Sequence, residues 1–452
     1  MEIIVEQPPG TSAHEFTTTL LRVPGLQRSF LLDINFSEIV DRSRQVNVRA
    51  LDFLFISAVV YASDKILSRT ATADRWTRTF ELTIPLQQPE EWLDARAALE
   101  AAVSFLTGDR WTISFVQARH VFQAVRPNRR RRAKGYPASP IVTLLSGGLD
   151  SFIGALDALA EYDRHRLQFV SHYDGHVSGP GADQENLRIL LESRFPGRIS
   201  HLQVRTGVRA LPEEEEVFGQ FEFEKSFRSR SLVFIGLGLY TATMIGPNVP
   251  LAIPENGPIA LNMPLNSSRR GACSTRTVHP YFLELLQGAV DQAGLQRIIS
   301  NPYALKTKGE MVRECRFPDL LRAASDKTNS CGKAGRKTYW ANRKAKGCGT
   351  CIPCLFRRAS LHVIGADDEA YGNDVFASAP QKYADFHALL GLIRSNPTIK
   401  HIGHKLIANG HLPIDQLDDY AAVVRRMLDE VTVWIREKGS VAARQLGGIR
   451  NA

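Results

Sequence analysis

The chain has 452 residues, of which 44% are hydrophobic and 23% charged, and its formal net charge is +9. This composition is that of a folded globular protein and excludes a disordered or fibrous chain, while the length predicts about three domain-sized units. No apolar run approaches the roughly 18 residues of a membrane-spanning helix, and the acidic start lacks the basic and apolar regions of a secretory signal. We therefore expect a soluble, cytoplasmic protein with no membrane partner.

The first part of the chain, residues 1–125, predicts a mixed α/β unit. Alternating apolar residues indicate strands at Arg78–Pro85 and Trp111–Val116, and helical spacing indicates a helix at Glu90–Leu106 between them. The unit contains no chemical motif, so we interpret it as an N-terminal α/β docking domain.

A short basic segment, residues 126–140, follows this unit. It carries six basic groups and no acidic group, four of them at Arg129–Arg132, and its Pro and Gly residues do not favour a packed core. A second basic segment, residues 326–360, has nine basic groups and one acidic group, whereas the rest of the chain is slightly acidic. This concentration excludes a diffusely basic surface. We interpret residues 126–140 as a linker that is either a solvated tether or a phosphate contact.

From residue 141 onward, apolar runs alternate with helical segments, which is typical of βα units in a doubly wound parallel sheet. The pattern predicts an α/β domain over residues 141–365 and a helical C-terminal region over residues 366–452. The predicted strands are Ile141–Leu145, Leu167–Tyr173, Ile199–Arg205 and Val249–Pro254, and the predicted helices are Ser151–Tyr162, Asn186–Phe195, Ser226–Ile245, Pro280–Ala293, Lys308–Ala324, Tyr383–Arg394 and Ile414–Lys438.

The most informative segment is Ser-Gly-Gly-Leu-Asp-Ser at Ser146–Ser151, between a predicted strand and a predicted helix. Its two glycines let the backbone turn tightly and bring N–H groups close to a ligand, the two serines add hydroxyl donors, and the helix presents its positive N-terminal end. The loop follows the first core strand, where such sheets bind ligands. The Gly-Lys-Ser/Thr ending of a Walker A motif is absent. The sequence therefore predicts an anion site suited to pyrophosphate and excludes a P-loop NTPase.

Four of the six cysteines fall within 24 positions, at Cys331, Cys348, Cys351 and Cys354. Cys-x-x-Cys spacing lets two sulfurs bind one tetrahedral Zn²⁺, and the surrounding basic residues would compensate the net charge of four thiolates. The sequence predicts a structural zinc site, with a redox-active pair or an iron–sulfur centre as alternatives. The two isolated cysteines, Cys273 and Cys315, are expected to be buried rather than catalytic.

The loop at Ser146–Ser151 resembles the signature of the PP-loop ATP pyrophosphatases, which cleave ATP to AMP and pyrophosphate while adenylating a carboxylate or carbonyl. Together with Ser330-Cys331, the three clustered cysteines and Arg357, it is similar to 7-cyano-7-deazaguanine synthase. The resemblance covers residues 140–365, roughly half of the chain. Looser likenesses lie at Tyr173–His176, Phe227–Ser231, Asn301–Pro302 and Thr307–Glu310.

Several features depart from that synthase family. The N-terminal part and the helical tail are additions, the interval from Cys331 to Cys348 is about twice the family's usual one, and Pro254–Gly257 with Ser274–Pro280 does not match closely. The enlarged arrangement resembles the deazaguanine-synthase-like proteins of bacterial anti-phage defence operons, particularly the Qat-type systems and their relatives in CBASS operons. For that branch, the resemblance implies activation of a 7-deazaguanine carboxylate, with the base made into a nitrile or amide or attached to an amine of a partner protein.

The resemblance also implies roles for single residues. ATP would place its β,γ-phosphates on the loop, formed by Ser146, Gly147, Gly148, Leu149, Asp150 and Ser151, with Mg²⁺ near Asp150. Lys308 is the expected second pyrophosphate contact, or else a solvated lysine. Arg230 would bind the substrate carboxylate or the α-phosphate, or else pair with Glu222 or Glu224 on a helix surface. Substrate contacts are expected from Glu255, Asn256, Arg276 and His279, the last two with loop bracing as the alternative.

The expected function is thus that of an ATP-dependent carbon–nitrogen ligase that uses ATP, Mg²⁺ and Zn²⁺. A non-catalytic nucleotide-binding or nucleic-acid-binding subunit is one alternative. Another PP-loop enzyme, such as a tRNA-modifying ligase, is a second, and its phosphate contacts would be carried by Arg129–Arg132 with a steep salt dependence. If the base is attached to a partner protein, residues 1–125 would dock that protein. Its N-terminal amine is then favoured over a lysine as the nucleophile, because the lower pKa of the N-terminal amine leaves more of it unprotonated.

Overall fold

The computed structural model describes residues 1–7, 19–35, 39, 42–43, 46–119, 135–177, 179–265, 276–377 and 379–450. The arginines of the predicted linker and Cys273 lie outside these residues. Among the described helices, none combines the length and the apolarity that crossing a membrane requires.

The described residues up to 119 form five strands and two α-helices. Both strands predicted there are present, and their ends lie about one residue from the predicted ends. The predicted helix is shorter than expected, because a 3-10 turn occupies Pro89–Trp92. The elements are β1 (Glu2–Glu6), β2 (Leu20–Val23), β3 (Arg28–Ile34), α1 (Val48–Ile66), β4 (Thr79–Leu86), α2 (Arg96–Thr107) and β5 (Arg110–Gln117).

The middle of the chain alternates strands and helices, as the apolar pattern predicts. The predicted helix over Lys308–Ala324 is instead two helices, because Pro318 cannot continue a helix and begins the second one. The elements are β6 (Val142–Leu144), α3 (Leu149–Glu161), β7 (Leu167–Tyr173), α4 (Pro180–Arg194), β8 (Ile199–Ala210), α5 (Pro212–Phe218), α6 (Arg230–Ile245), β9 (Leu251–Ala252), α7 (Gly257–Ala260), α8 (Pro280–Gln292), β10 (Ile299–Ser300), α9 (Lys308–Glu314) and α10 (Pro318–Ala324).

The last hundred residues are helical, and their apolar faces form a second core. The long helix of this region has acidic residues in its first turn and basic residues in its last turn, which complements its dipole. The elements are α11 (Ile352–Val363), α12 (Ala384–Arg394), α13 (Ile399–Ile407), α14 (Leu417–Lys438) and α15 (Val441–Gly447).

The ten strands of the described residues belong to one sheet, in the order β10-β9-β6-β7-β8-β3-β2-β1-β4-β5. The five strands from β10 to β8 are parallel, which confirms the α/β class, but β8, β3, β2 and β1 pair antiparallel. Phe30 of β3 pairs with Ala210 at the end of β8, which extends well past its predicted end at Arg205. The first 119 residues therefore continue the sheet of the middle region across the boundary that the sequence predicts.

Helix α6 is enclosed between α1 and the sheet. A Cβ atom on Gly236 would lie 2.8 Å from Ser57 Oγ of α1, and one on Gly238 would lie 2.6 Å from a methyl group of Leu251 in β9. The two glycines thus allow close packing on both sides of the helix. Residues of α1, α6 and both ends of the sheet share the largest hydrophobic core.

Candidate functional site

A cavity of about 1350 Å³ opens where the parallel strands β6, β7 and β9 end. It is lined by the loop at Ser146–Ser151 and by Glu255, Lys308 and Arg230, four features that lie far apart in the sequence. The carboxyl edge of a parallel sheet is the usual ligand-binding position of such folds. The fold therefore brings these predicted site residues together, while their ligand roles stay predictions.

The loop is shaped by its own hydroxyl groups. Ser151 Oγ accepts a hydrogen bond from Ser146 N at 3.2 Å and donates one to the Gly148 carbonyl at 3.0 Å. Gly147 has φ of +93°, a conformation that residues with a Cβ atom rarely adopt. The N-cap residue of α3 is Gly148, which has no side chain to cap the helix, and among the described residues Leu149 N donates only a long bond of 3.4 Å to Ser330 Oγ. This geometry suits an anion.

Behind the loop, the carboxylate of Asp150 forms a buried ion pair with Lys308 Nζ. Asn256 Nδ2 donates to Asp150 Oδ2 at 2.7 Å and to Glu255 Oε1 at 2.9 Å, so the two carboxyl groups share one amide. Burial alone would raise the pKa of Asp150, but the Lys308 ammonium and hydrogen bonds from Glu255 and Asn256 lower it to about 2. Burial and the nearby Asp150 charge raise the pKa of Glu255 well above its usual value. Of the two carboxyl groups, Asp150 therefore favours the charged form and Glu255 the protonated form.

Asn256 is fully buried, and its side chain forms its hydrogen bonds with other groups of the protein. Besides the two carboxyl groups, its side chain caps α7, where Asn256 Oδ1 accepts from Ile259 N at 3.1 Å. Neighbouring Glu255 is fixed by Asn301, whose Nδ2 donates to the Glu255 carbonyl at 2.8 Å. Of the two residues predicted to contact substrate here, only Glu255 lines the cavity. Asn256 orients the carboxyl groups from behind.

Arg230 is the first residue of α6 and also lines the cavity. Its guanidinium carbon lies 5.7 Å from the centre of the Phe234 ring, and burial lowers its pKa. Within the described part of the chain, no carboxylate forms an ion pair with it. The Glu224 carboxylate, predicted as a partner in the alternative reading, instead accepts from the backbone N–H groups of Arg69 and Ser226 at 2.8 Å each. Arg230 is thus a cation available to an anionic ligand.

The cavity wall beside Arg230 contains residues of α1 and the segment after it, which the sequence reading missed. Lys65 Nζ donates to the Glu224 carbonyl and lies 4.2 Å from the centre of the Phe227 ring, and burial lowers its pKa. Trp76 stacks under Arg228 at 4.0 Å. The signal available in the sequence is the pair of charges Asp64-Lys65 at the end of a largely apolar helix.

A buried network of ion pairs ties this wall to the N-terminal strands. Asp109 accepts from both Arg69 Nη atoms at 2.7 Å and from Arg78 Nη2 at 2.7 Å. Arg78 also pairs with Asp64, whose second oxygen accepts from Ser229 Oγ at 2.6 Å. Ser229 directly precedes Arg230. The N-terminal strands therefore determine where the wall that carries Arg230 is held.

Arg276 and His279 lie outside the cavity lining. Arg276 Nη1 donates to the Phe105 carbonyl at 2.7 Å, and its Nη2 donates to Asn409 Oδ1 at 3.3 Å. His279 caps α8, where its Nδ1 accepts from Tyr281 N at 3.2 Å, and burial together with the Arg276 charge lowers its pKa to about 3. These contacts are those of the loop-bracing alternative, and no contact supports the predicted substrate role.

The four clustered cysteines form a compact group. The Sγ atoms of Cys331, Cys348, Cys351 and Cys354 all lie within 4.8 Å of one another, and those of Cys348 and Cys354 are 3.8 Å apart. Four sulfurs bound tetrahedrally to Zn²⁺ at about 2.3 Å would be separated by about 3.8 Å, so the group fits this metal. Trp340 is buried against the cysteines. The cluster can hold a metal such as zinc, as the spacing predicts.

Arg357, the last residue of the cysteine motif, is buried, and its guanidinium group is hydrogen-bonded to other residues of the protein. It donates to Glu369 Oε2 at 3.0 Å, to Thr328 Oγ1 at 2.7 Å and to the Ser325 carbonyl at 2.6 Å. These bonds fix the segment that leads to Cys331. The cluster is thereby held beside the cavity, which Cys331 and Cys351 help to line.

The fold and the site together define an α/β protein with a glycine-containing strand–loop–helix turn at the cavity and a four-cysteine cluster that could hold a metal. Comparison with known proteins found no matching family model and no matching curated protein. The more particular assignment therefore rests on the geometry of the site and on the resemblance of its motifs.

Proposed function

We propose that this protein is an ATP-dependent carbon–nitrogen ligase related to the PP-loop ATP pyrophosphatases. Its substrate would be the carboxylate of a 7-deazaguanine base. The observation that carries the proposal is the convergence of the phosphate loop, the Asp150–Lys308 ion pair and the unpaired Arg230 on one cavity. That cavity, at about 1350 Å³, exceeds the roughly 300–1000 Å³ usual for a single small ligand, so it has room for ATP and a second substrate.

The proposed reaction has two steps. An oxygen of the substrate carboxylate attacks the α-phosphorus of ATP, the bond to the β-phosphate oxygen breaks, and pyrophosphate leaves with its electron pair. An amine nitrogen then attacks the acyl carbon, AMP leaves, and the nitrogen loses a proton to form an amide. A nitrile would require loss of the amide oxygen after activation by a second ATP. Neither step needs a nucleophile from the protein, so positioning supplies much of the catalysis.

The chain's own residues divide this work. The backbone and hydroxyl groups of Ser146–Ser151 would bind the β,γ-phosphates, with Lys308 as a second cation on the leaving group. Arg230 would hold the substrate carboxylate with two parallel hydrogen bonds. Asp150 would offer a carboxylate oxygen to Mg²⁺, which would supply positive charge beside the pyrophosphate. The cysteines would hold Zn²⁺ in a structural role.

The amine donor and the biological setting are proposed from the resemblance alone. By likeness to the Qat-type defence proteins, the acceptor would be a partner protein from the same operon, and its N-terminal amine would be the favoured nucleophile. Incubation of the co-expressed proteins with ATP and 7-carboxy-7-deazaguanine should then add the acyl mass to the partner's N-terminal peptide. An unmodified partner would remove the conjugation proposal but leave the ligase proposal standing.

The deciding experiment measures the products from ATP in the presence of 7-carboxy-7-deazaguanine. We expect AMP and pyrophosphate, together with a mass-spectrometric product that retains the deazaguanine base. Ser146→Ala should abolish both while the protein keeps its melting temperature within a few degrees. A matched control is Glu314→Gln, which removes only an exposed ion pair with Lys306. Release of ADP and phosphate instead would overturn the proposal.

A further inference from the structure

The C-terminal helix α14 contacts the turn that carries Lys308. Glu430, in the second half of α14, accepts a hydrogen bond from Thr307 Oγ1 and another from Gly309 N at 3.3 Å. These two donors are the residues on either side of Lys308. The Glu430 carboxylate therefore holds the backbone of this lysine from both directions.

A second residue of α14, one turn earlier, reinforces this contact. Arg426 Nε pairs with Glu310 Oε1 at 2.6 Å, and its Nη2 donates to the Leu305 carbonyl at 2.9 Å. Glu310 also closes the capping box of α9, where its Oε2 accepts from Thr307 N at 2.8 Å. The start of α9 is thus fastened to α14 at several points.

Gly309 makes the close approach possible. A Cβ atom at this position would lie 2.5 Å from the Glu430 carboxyl group, which is closer than any real contact of that kind. A side chain at position 309 would therefore push Glu430 away from the turn. Substitution at either residue disturbs the same contact without touching the lysine itself.

We propose that Glu430 is a positioning residue for Lys308. By fixing Thr307 and Gly309, it keeps the Lys308 ammonium paired with Asp150 and directed at the phosphate loop. This inference rests on the proposed function, in which Lys308 contacts the pyrophosphate. A displacement of about 1 Å at such a group can lower a rate by as much as about 100-fold. The C-terminal region is then a working part of the site rather than an appendage.

The first test measures the chemical reactivity of Lys308 and requires no activity. Trace acetylation of the full chain, followed by mass spectrometry, should give several-fold faster labelling of Lys308 in Glu430→Ala and in Gly309→Ala than in the wild type. Glu430→Gln, which keeps an acceptor for Gly309 N, should stay close to the wild type. Asp429→Asn is the matched control, because Asp429 is the next residue on α14 and is exposed. Unchanged labelling in both Glu430→Ala and Gly309→Ala would overturn the inference.

The second test asks whether Glu430 acts through Lys308. We expect Glu430→Ala to raise the KM for ATP about 10-fold and to lower kcat, whereas mere loss of folded protein would lower kcat alone. In a Lys308→Ala background, Glu430→Ala should add no further loss, and additive losses would contradict the inference. If the wild type releases no pyrophosphate, the proposed function fails, and the labelling experiment still decides the role of Glu430.

Discussion

The backbone N–H of Asn329 donates a hydrogen bond of 2.8 Å to the carbonyl oxygen of Gly147. In addition, Leu149 N donates to Ser330 Oγ at 3.4 Å. The segment that enters the cysteine cluster is therefore bonded directly to the loop at Ser146–Ser151. Order in the cluster and order in the loop should depend on each other, since a loop of two glycines has little rigidity of its own.

The first prediction follows from this link. We expect one zinc per chain, and Cys351→Ser should lose the metal, lower the melting temperature and weaken ATP binding at least about 10-fold, because metal binding and local folding are coupled. Metal analysis and equilibrium dialysis with labelled ATP measure these effects. Cys315→Ala serves as the control, since Cys315 is a buried free cysteine outside the cluster. Iron in the purified protein, or stable protein without metal, would contradict the prediction.

The second prediction concerns Arg230. Arg230→Met should raise the KM for the substrate acid by about 10- to 100-fold, because a hydrogen bond to a charged group contributes about 1.5–3 kcal/mol. The KM for ATP should change far less. Steady-state kinetics with each substrate varied in turn separates the two values. Arg188→Met, on the exposed surface of α4, should change neither. An equal rise in both KM values would assign Arg230 to ATP.

The third prediction concerns the buried ion network behind Arg230. Asp109→Asn should lower the free energy of unfolding by about 3–5 kcal/mol, because the buried charges of Arg69 and Arg78 would then share Asp64 as their one carboxylate in the network. Urea unfolding followed by circular dichroism measures this loss. The exposed carboxylate in Asp429→Asn should change the same quantity by less than about 1 kcal/mol. Similar losses of unfolding free energy from the two substitutions would show that the buried network stabilises the protein no more than an exposed carboxylate does.

The fourth prediction is a pH dependence that arises from Asp52, a buried residue of α1. Burial raises the pKa of Asp52 to about 6, although the N–H groups of Gln87 and Gln88 donate to it at 3.1 and 3.0 Å. A carboxyl group whose pKa rises on folding stabilises the folded state at low pH and loses that contribution as the pH rises through the folded value. Between pH 4 and pH 7 the wild type should therefore lose about 2 kcal/mol relative to Asp52→Asn. Unfolding curves of the wild type and of Asp52→Asn, measured at both pH values, check this prediction. A difference in unfolding free energy between the two proteins that is the same at both pH values would refute it.

The fifth prediction revises what the sequence suggested for residues 1–125. Because 17 of the 19 residues of α1 are buried and β3 pairs with β8, removing this part should expose the main core and give aggregated protein rather than an active fragment. By contrast, cleavage at a protease site inserted within residues 126–134 should leave two pieces that co-elute in gel filtration. A soluble, monomeric fragment of residues 135–452 would show that the shared core is not essential.

Much of the fold and part of the site could be predicted from the sequence, because their signals are local. Alternation and helical spacing locate most of the elements, since they reflect which faces are buried. The turn at Ser146–Ser151 depends on its own glycines and hydroxyls, and the cysteine cluster depends largely on Cys-x-x-Cys spacing. The residue types and spacing of these two features are therefore visible in the sequence, whereas the bonds from Asn329 and Ser330 that join them are not.

The remaining features were decided by the tertiary structure, because they depend on pairings between residues far apart. Pairing of β3 with β8 joins the N-terminal strands to the sheet, and it brings Lys65 and the Asp64 network against Arg230. Packing around α2 turns Arg276 away from the cavity, and packing of α14 places Glu430 beside Lys308. A single sequence carries no signal for which of its many charged residues will meet, since each charge alone is equally suited to solvent. Only the folded arrangement separates the residues that line the cavity from those that brace its walls.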